Sequence, residues 1–419
     1  MNKKKLLLIL LLLLALPLSL VSAQDMMDPP PGFDSWDAVV AAADGATVNW
    51  YMWGGSDSIN GFVDTIYGGP LAEEYNITLN RVPANTIDIV NQVLSEAEAG
   101  VTGDDGTVDL IWINGENFFT LKQADLLYGP WAENVPNSVY VNWDNPALNL
   151  DFGRPVEGME SPWSGAQFHF IYDSARMSAD DLPRSYAELD EWISMNPGRF
   201  TYIAPGPGAF QGTRFVKQAL FEISGGQAQW VGDFNQELYD EHAPALWDML
   251  NSWEENLWRG GETYPANIGE LHELFANGEI DFTLTQRITG AAVDIESGLI
   301  PPSSRAFSFD DNMIGDFNYV AIPFNAPNKA AALVLADLIL RPDRQALQVV
   351  PENGFGLAYG IDVSRVSDPD DVAALQAASE SLGDAAADPA RLAGALVSDI
   401  AAEYQVLIEA DWEANVLQG

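Results

Sequence analysis

Four short clusters carry the side chains from which a site could be built. They are Trp53-Gly54-Gly55-Ser56, Asn114-Gly115-Glu116-Asn117, Trp163-Ser164-Gly165-Ala166-Gln167, and the stretch from Tyr202 through Pro205-Gly206-Pro207-Gly208 to Phe210, Gln211, Thr213 and Arg214. Their chemistry is flat rings (Trp53, Trp112, Trp163, Tyr202, Phe210), neutral hydrogen-bonding groups (Ser56, Asn114, Asn117, Ser164, Gln167, Gln211) and one carboxylate, Glu116. Glycines such as Gly54 and Gly55 let the backbone approach a bound object. Rings that stack and amides that hydrogen-bond suit reversible capture of a small solute. A cationic ring would gain roughly 0.5–2 kcal/mol per aromatic face, with Glu116 as a countercharge. Thr213 and Arg214, at the start of a helix, could instead hold an anion.

Covalent chemistry finds few residues. The histidines are His169, His242 and His272. His272-Glu273 lacks the second histidine of a zinc H-E-x-x-H, there is no cysteine nucleophile, and no G-x-S-x-G elbow occurs. His169 lies in an apolar run and reads as a packed, hydrogen-bonded group. Asp310-Asp311-Asn312 and Gly103-Asp104-Asp105-Gly106 have calcium-loop composition without the loop's spacing. Gln211 stands where a dinucleotide fingerprint needs its third glycine. No catalytic residue, metal or cofactor is therefore expected.

These clusters must be positioned by the elements beside them. Val48 to Trp53, Ile77 to Val82 and Val108 to Ile113 read as strands separated by helices, one of them starting at Asn85 or Thr86 with Ile87, Val90, Leu94 and Ala97 on one face. Strands alternating with helices argue for an α/β fold with mainly parallel sheets, and such folds place ligand sites beyond the carboxyl ends of strands, here WGGS and NGEN. Trp131 to Glu160 reads as loop, and the PWSGAQ cluster as a loop leading into a strand from Phe168 to Tyr172 that crosses into a second domain. There Arg199 to Ala204 reads as a strand, the Pro-Gly turn follows, and a helix carrying Phe215, Ala219, Leu220 and Ile223 runs to Gly225-Gly226. Helices over Ser185 to Met195, His242 to Trp258 and Ile268 to Ala276 and a strand over Ile280 to Gln286 complete that domain. Asn318 to Pro323 is the return strand. Helices begin near Pro327, Pro369 and Pro389, and the last carries Leu392, Leu396, Ile400 and Tyr404 at four-residue spacing. Two crossings between two domains are the layout of a hinged clamp.

Composition sets the surroundings. Lys3 to Lys5, the apolar run Leu6 to Val21 and the small residues Val21-Ser22-Ala23 form a cleavable secretory signal over residues 1–23, followed by a flexible leader over 24–32. The expected location is periplasmic or extracytoplasmic, and a chain without cysteine has neither disulfides nor a lipid-anchoring cysteine. A formal charge of −42 repels nucleic acid and anionic lipid. The length after the signal suggests two domains at roughly 100–200 residues each.

The run IPFNAPNKAAALVLADLILRPDRQA, from Ile322 to Ala346, resembles the segment after the second crossover in type II periplasmic solute-binding proteins of ABC importers. WYMWGGSDSINGFVD, DLIWINGENFFTLKQADLLYGPW, PWSGAQFHFIYDSARM and APGPGAFQGTRFVKQALFEISGG resemble more narrowly the YnjB-type branch, often described as thiamine binders. The resemblance implies two α/β lobes hinged by two crossover strands: residues 33–167, residues 168–317, and a return of 318–419 to the first. It implies a monomer that closes on a small solute, a cationic ring such as thiamine being the preferred cargo, and presents it to a membrane permease and its ATPase. The chain lacks the adjacent tyrosines of iron-binding members, which counts against ferric iron. The rival reading is a secreted carbohydrate-active hydrolase or sugar-binding protein. A hydrolase would need two carboxylates roughly 5–9.5 Å apart facing one cleft. An adhesion module would have a filled groove instead.

Overall fold

Among the described residues, twelve strands and the helices between them bury two separate apolar cores. The computed structural model describes residues 28–206, 209–353, 355–356 and 358–418, so the secretory signal, the first part of the leader (24–27) and Pro207-Gly208 lie outside the described residues. The strands are β1 (Thr47–Met52), β2 (Thr78–Pro83), β3 (Leu110–Ile113), β4 (Leu150–Asp151), β5 (Arg154–Pro155) and β6 (Glu160–Gln167). They continue with β7 (His169–Asp173), β8 (Phe282–Thr285), β9 (Ser304–Phe307), β10 (Met313–Ala321), β11 (Ala358–Tyr359) and β12 (Leu396–Val397).

The larger sheet runs β11-β6-β10-β3-β1-β2, with β12 added to the outer end of β10. β1 pairs in parallel with β2 and β3, while β10 runs antiparallel to both β3 and β6. The smaller sheet, β8-β7-β9, is antiparallel throughout. The α/β, two-lobed fold stands, but the expectation of a mainly parallel sheet in each lobe is corrected: the larger sheet is mixed, with β11, β6, β10 and β3 paired antiparallel, and the smaller is antiparallel.

The first core draws on Val39 to Trp163 and again on Phe317 to Ala378; the second draws on Phe168 to Ile314 and on Ala385 to Val416. β6 and β10 therefore run between the cores as a two-stranded ribbon, continued into the second lobe by the bond from Phe168 N–H to Ile314 O. The C-terminal stretch does not all return to the first lobe. The helix Pro369–Ser381 packs there through Leu375 and Ala378, whereas Tyr404, Ile408 and Trp412 of the helix Ala402–Trp412 belong to the second core. The four-residue spacing of Leu392, Leu396, Ile400 and Tyr404 spans no single helix, because β12 interrupts it by pairing with Met313 and Ile314.

Three other local readings change. PWSGAQ is not a loop: it forms the last six residues of β6, paired with β10 except where the register shifts at Trp163. Arg199 to Ala204 is extended chain outside any sheet, held through Trp258 N–H to Phe200 O and Ala204 N–H to Pro265 O. The helix Thr86–Glu98 buries Ile89, Val90 and Val93, and Ile87 is exposed. The helix Phe210–Ser224 does end where glycine predicts, with Gly225 at φ +86°.

Candidate functional site

Alternation along β10 organises the space between the lobes. Asp316 and Asn318 lie on one face of the ribbon, Phe317 and Tyr319 on the other, as the period of two requires. On the first face the Asn318 side chain is a junction. Its Oδ1 accepts from Trp112 Nε1 at 3.0 Å, and its Nδ2 donates to Ser164 Oγ at 2.9 Å. Asn114 Nδ2 donates to Phe317 O at 3.1 Å, which fixes the NGEN corner against the ribbon. Trp112 in turn carries Trp53, edge to face, with ring centroids 6.5 Å apart. Trp53 is 43% exposed, the one tryptophan among the described residues with its ring so open.

The second lobe contributes Arg214, 1% exposed, from the first turn of the helix Phe210–Ser224. Its guanidinium donates to Asp316 Oδ2 at 2.6 Å and Gln286 Oε1 at 3.1 Å, lies 3.4 Å from Asp399 Oδ2, and stacks under the Phe210 ring at 4.1 Å. Lys217 donates to Asp399 at 2.8 Å, so two cations face two carboxylates inside the protein. Burial opposes the charge of Arg214, but Asp316 and Asp399 hold it above the ordinary guanidinium value. Burial likewise opposes ionised Asp399, yet Lys217 and Arg214 hold its carboxyl below the usual range. The network locks the helix start to the ribbon and leaves Asp316 Oδ1 and Gln286 Nε2 buried without protein partners.

Trp53 and Phe210 thus connect to one strand face, through Trp112 and Asn318 on one side and Arg214 and Asp316 on the other. Two further contacts join distant parts of the chain. Arg154 of the β4–β5 hairpin pairs with Asp233 of the second lobe, and Thr289 Oγ1 donates to Gly356 O at 3.0 Å.

Several sequence-derived site residues take other roles. Trp163 is fully buried between Trp50 and Trp112, at 5.1 and 4.9 Å, and belongs to the core. Tyr202 stacks on Phe215 at 4.8 Å and accepts from Trp412 Nε1 at 3.0 Å, inside the second core. Thr213, fully buried, donates to Glu409 at 2.9 Å, and Arg214 is neutralised by carboxylates, so the pair is not an anion cradle. Ser56 caps the helix Asp57–Phe62, accepting from Ile59 N–H at 3.4 Å. Ser164 serves Asn318. Glu116 is exposed at the start of the helix Glu116–Gln123, Asn117 Oδ1 is buried without a partner, and Gln211 is half-buried beside Phe210.

Glycine makes the first corner possible. A Cβ on Gly54 would lie 2.5 Å from Pro83 Cβ, and one on Gly55 2.3 Å from the Trp53 ring. Sequence reasoning passed over Asp316, Asn318 and Gln286. The alternation Asp-Phe-Asn-Tyr over 316–319 was the available signal, a half-buried strand with its polar residues on one face.

Two lobes joined by a two-stranded ribbon, with loops from both meeting on one face of it, define the type II solute-binding component of ABC transporters. Residues 69–355 match the family described as bacterial extracellular solute-binding proteins, and the chain belongs to that family. Protein YnjB of Escherichia coli (strain K12) is 37% identical over 318 residues, which cover 75% of this chain and 80% of that protein. Among solved structures, a sugar transporter from Rhizobium etli in an open conformation superposes with a TM-score of 0.60 at 15% identity, covering 88% of this chain and 95% of the other. The spermidine/putrescine substrate-binding protein PotD of Streptococcus pneumoniae gives 0.55 at 12% identity, over 88% and 99%. Membership of an extracellular family places the protein outside the cytoplasm. Among the described residues no helix is long and apolar enough to cross a membrane.

Proposed function

We propose that this protein captures a small, flat, positively charged organic solute of the thiamine kind between Trp53 and Phe210 and delivers it, as a monomer, to a membrane permease with its ATPase. The observation that carries this reading is the open Trp53 ring, propped on Trp112, which binds Asn318, while Phe210 stacks on Arg214, which binds Asp316 on the same strand face. A cationic ring stacks on such faces, and the surplus of acids across the chain draws cations in. Closure follows if the solute touches both lobes only when they approach, because equal affinity for both states shifts nothing. The amides of Asn318 and Gln286 favour a second reading, a neutral sugar stacked on the same tryptophan.

A thermal-shift screen of the purified protein against thiamine, its phosphates, spermidine and a panel of sugars separates the two. A true ligand at 100 times its Kd adds about 2.7 kcal/mol of stability. Thiamine raising the melting temperature supports the first reading; a sugar doing so while thiamine and its phosphates leave it unmoved overturns it.

A further inference from the structure

Four aromatic side chains among the described residues belong to neither apolar core: Trp53, Phe119, Phe152 and Phe210. Trp53 leans on Trp112, Phe119 lies under the Arg154 guanidinium at 4.6 Å, and Phe210 faces Arg214. Among the described residues Phe152 alone of the four has neither a ring nor a cation against it, and it is only half-buried, so part of its ring is open.

Phe152 and Gly153 form the tip of the β4–β5 hairpin, and Phe152 has φ +45°. A bulky residue in the left-handed region is strained, and it stays there only where its surroundings over-determine the backbone. Both sides of this tip are held. Asp151 Oδ2 accepts from Gly115 N–H, and Arg154 pairs with Asp233 of the second lobe. Gly153 fits against that lobe: a Cβ there would lie 3.6 Å from Gly232 N and from Ala401 N, and 3.7 Å from Asp399 O. The Phe152 ring rests on the backbone of Gly115, where a Cβ would stand 3.2 to 3.5 Å from three ring atoms. Gly115 belongs to the NGEN corner that Asn114 fixes to the ribbon, and Asp399 carries the carboxylate that faces Arg214 beneath Phe210. Phe152 therefore stands where the first-lobe corner meets the second-lobe network.

We propose that Phe152 is a specificity-determining contact residue, whose open ring stacks on the flat cationic solute assigned above to Trp53 and Phe210. The assignment rests on that reading of the cargo. Relaxing φ would re-aim the side chain off Gly115, so the strain is what keeps the ring at the junction. The tip is clamped from the first lobe through Gly115 and from the second through Asp233, Gly232 and Ala401. The ring is thus held in place only while the lobes are close, and a solute that stacks on it favours the closed state.

Isothermal titration of the full folded protein with thiamine, in the wild type, Phe152→Leu and Phe152→Tyr, tests the assignment. Leucine keeps an apolar side chain but removes the π face, so affinity should fall about three- to tenfold, whereas tyrosine keeps the face and should bind within about twofold of wild type. Phe152→Gly separates a contact residue from a structural one. Glycine adopts φ +45° freely, so the urea midpoint should equal or exceed that of the wild type while thiamine affinity falls at least as far as in Phe152→Leu. Unchanged thiamine affinity in Phe152→Leu, an equal loss in Phe152→Tyr, or a lowered urea midpoint in Phe152→Gly overturns the role of Phe152 and leaves the cargo reading standing. Absence of thiamine binding by the wild type overturns the cargo reading, and the assignment of Phe152 with it.

Discussion

Trp53 and Trp163 stand in similar local sequence, each followed at once by glycine and serine, and each is joined edge to face to Trp112. One ring is open to solvent and the other is wholly enclosed. What separates them is whether the strand ends. β1 stops at Met52, and its corner turns into the helix Asp57–Phe62, so Trp53 is left on the rim. β6 runs on to Gln167. Register against β10 shifts between Asn318 and Tyr319, where Ser164 and Pro162 are the partners, so Trp163 is the extra residue of a bulge. Bulges re-aim side chains, and this one drives the indole into the core. The carbonyl that the ladder leaves free is taken by Gln345 and Gln348, at 3.1 and 2.8 Å. A tryptophan beside glycine is thus a ligand surface at a strand's end and a core residue in its middle.

The largest expected effect breaks the comparison directly. Trp163→Ala should lower unfolding free energy by about 3–5 kcal/mol in urea denaturation, through lost burial and the cavity left between Trp50 and Phe355. Trp53→Ala should cost less than about 1 kcal/mol, since its ring is already wet. Equal losses would mean that Trp53 is part of the core. A smaller effect isolates the bulge: Gln345→Leu keeps side-chain bulk but removes bonds to Trp163 O, Ile339 O and Gly360 N–H. Stability should fall by about 1–3 kcal/mol while solute affinity holds. An unchanged midpoint would show that the bulge is not held by that amide.

The same distinction explains what sequence revealed. Apolar runs and cap residues located most elements, including the helix Ile268–Ala276 and the Asp-Pro starts at Asp368 and Asp388. The two lobes followed from strand–helix alternation together with the family resemblance. Pairing was not legible, because it joins residues far apart in the chain: nothing local says that PWSGAQ meets β10 or that Leu396 adds to its outer end. Tyr202 and Thr213 looked like site residues for the same reason. Their partners, Trp412 and Glu409, lie some two hundred positions downstream, and only the return of that helix to the second lobe encloses them. Asp316 and Asn318 failed differently, since their alternation was visible but no loop or glycine marked them as a site.

The smallest effect sharpens the comparison most. Gly55 has ordinary backbone angles, so an alanine there is unstrained, but its methyl would fall 2.3 Å from the Trp53 ring. The ring is exposed and can swing aside, so Gly55→Ala should leave the unfolding midpoint within about 0.5 kcal/mol of wild type. The displaced ring no longer lies where a solute would stack, and affinity for whichever solute stabilises the wild type should fall by about two- to fivefold. An affinity equal to wild type would mean that the position of Trp53, and with it the capture surface assigned to the first corner, plays no part in binding. A midpoint that falls with the affinity would mean instead that the corner is packing after all, and that Trp53 resembles Trp163 more closely than its exposure suggests.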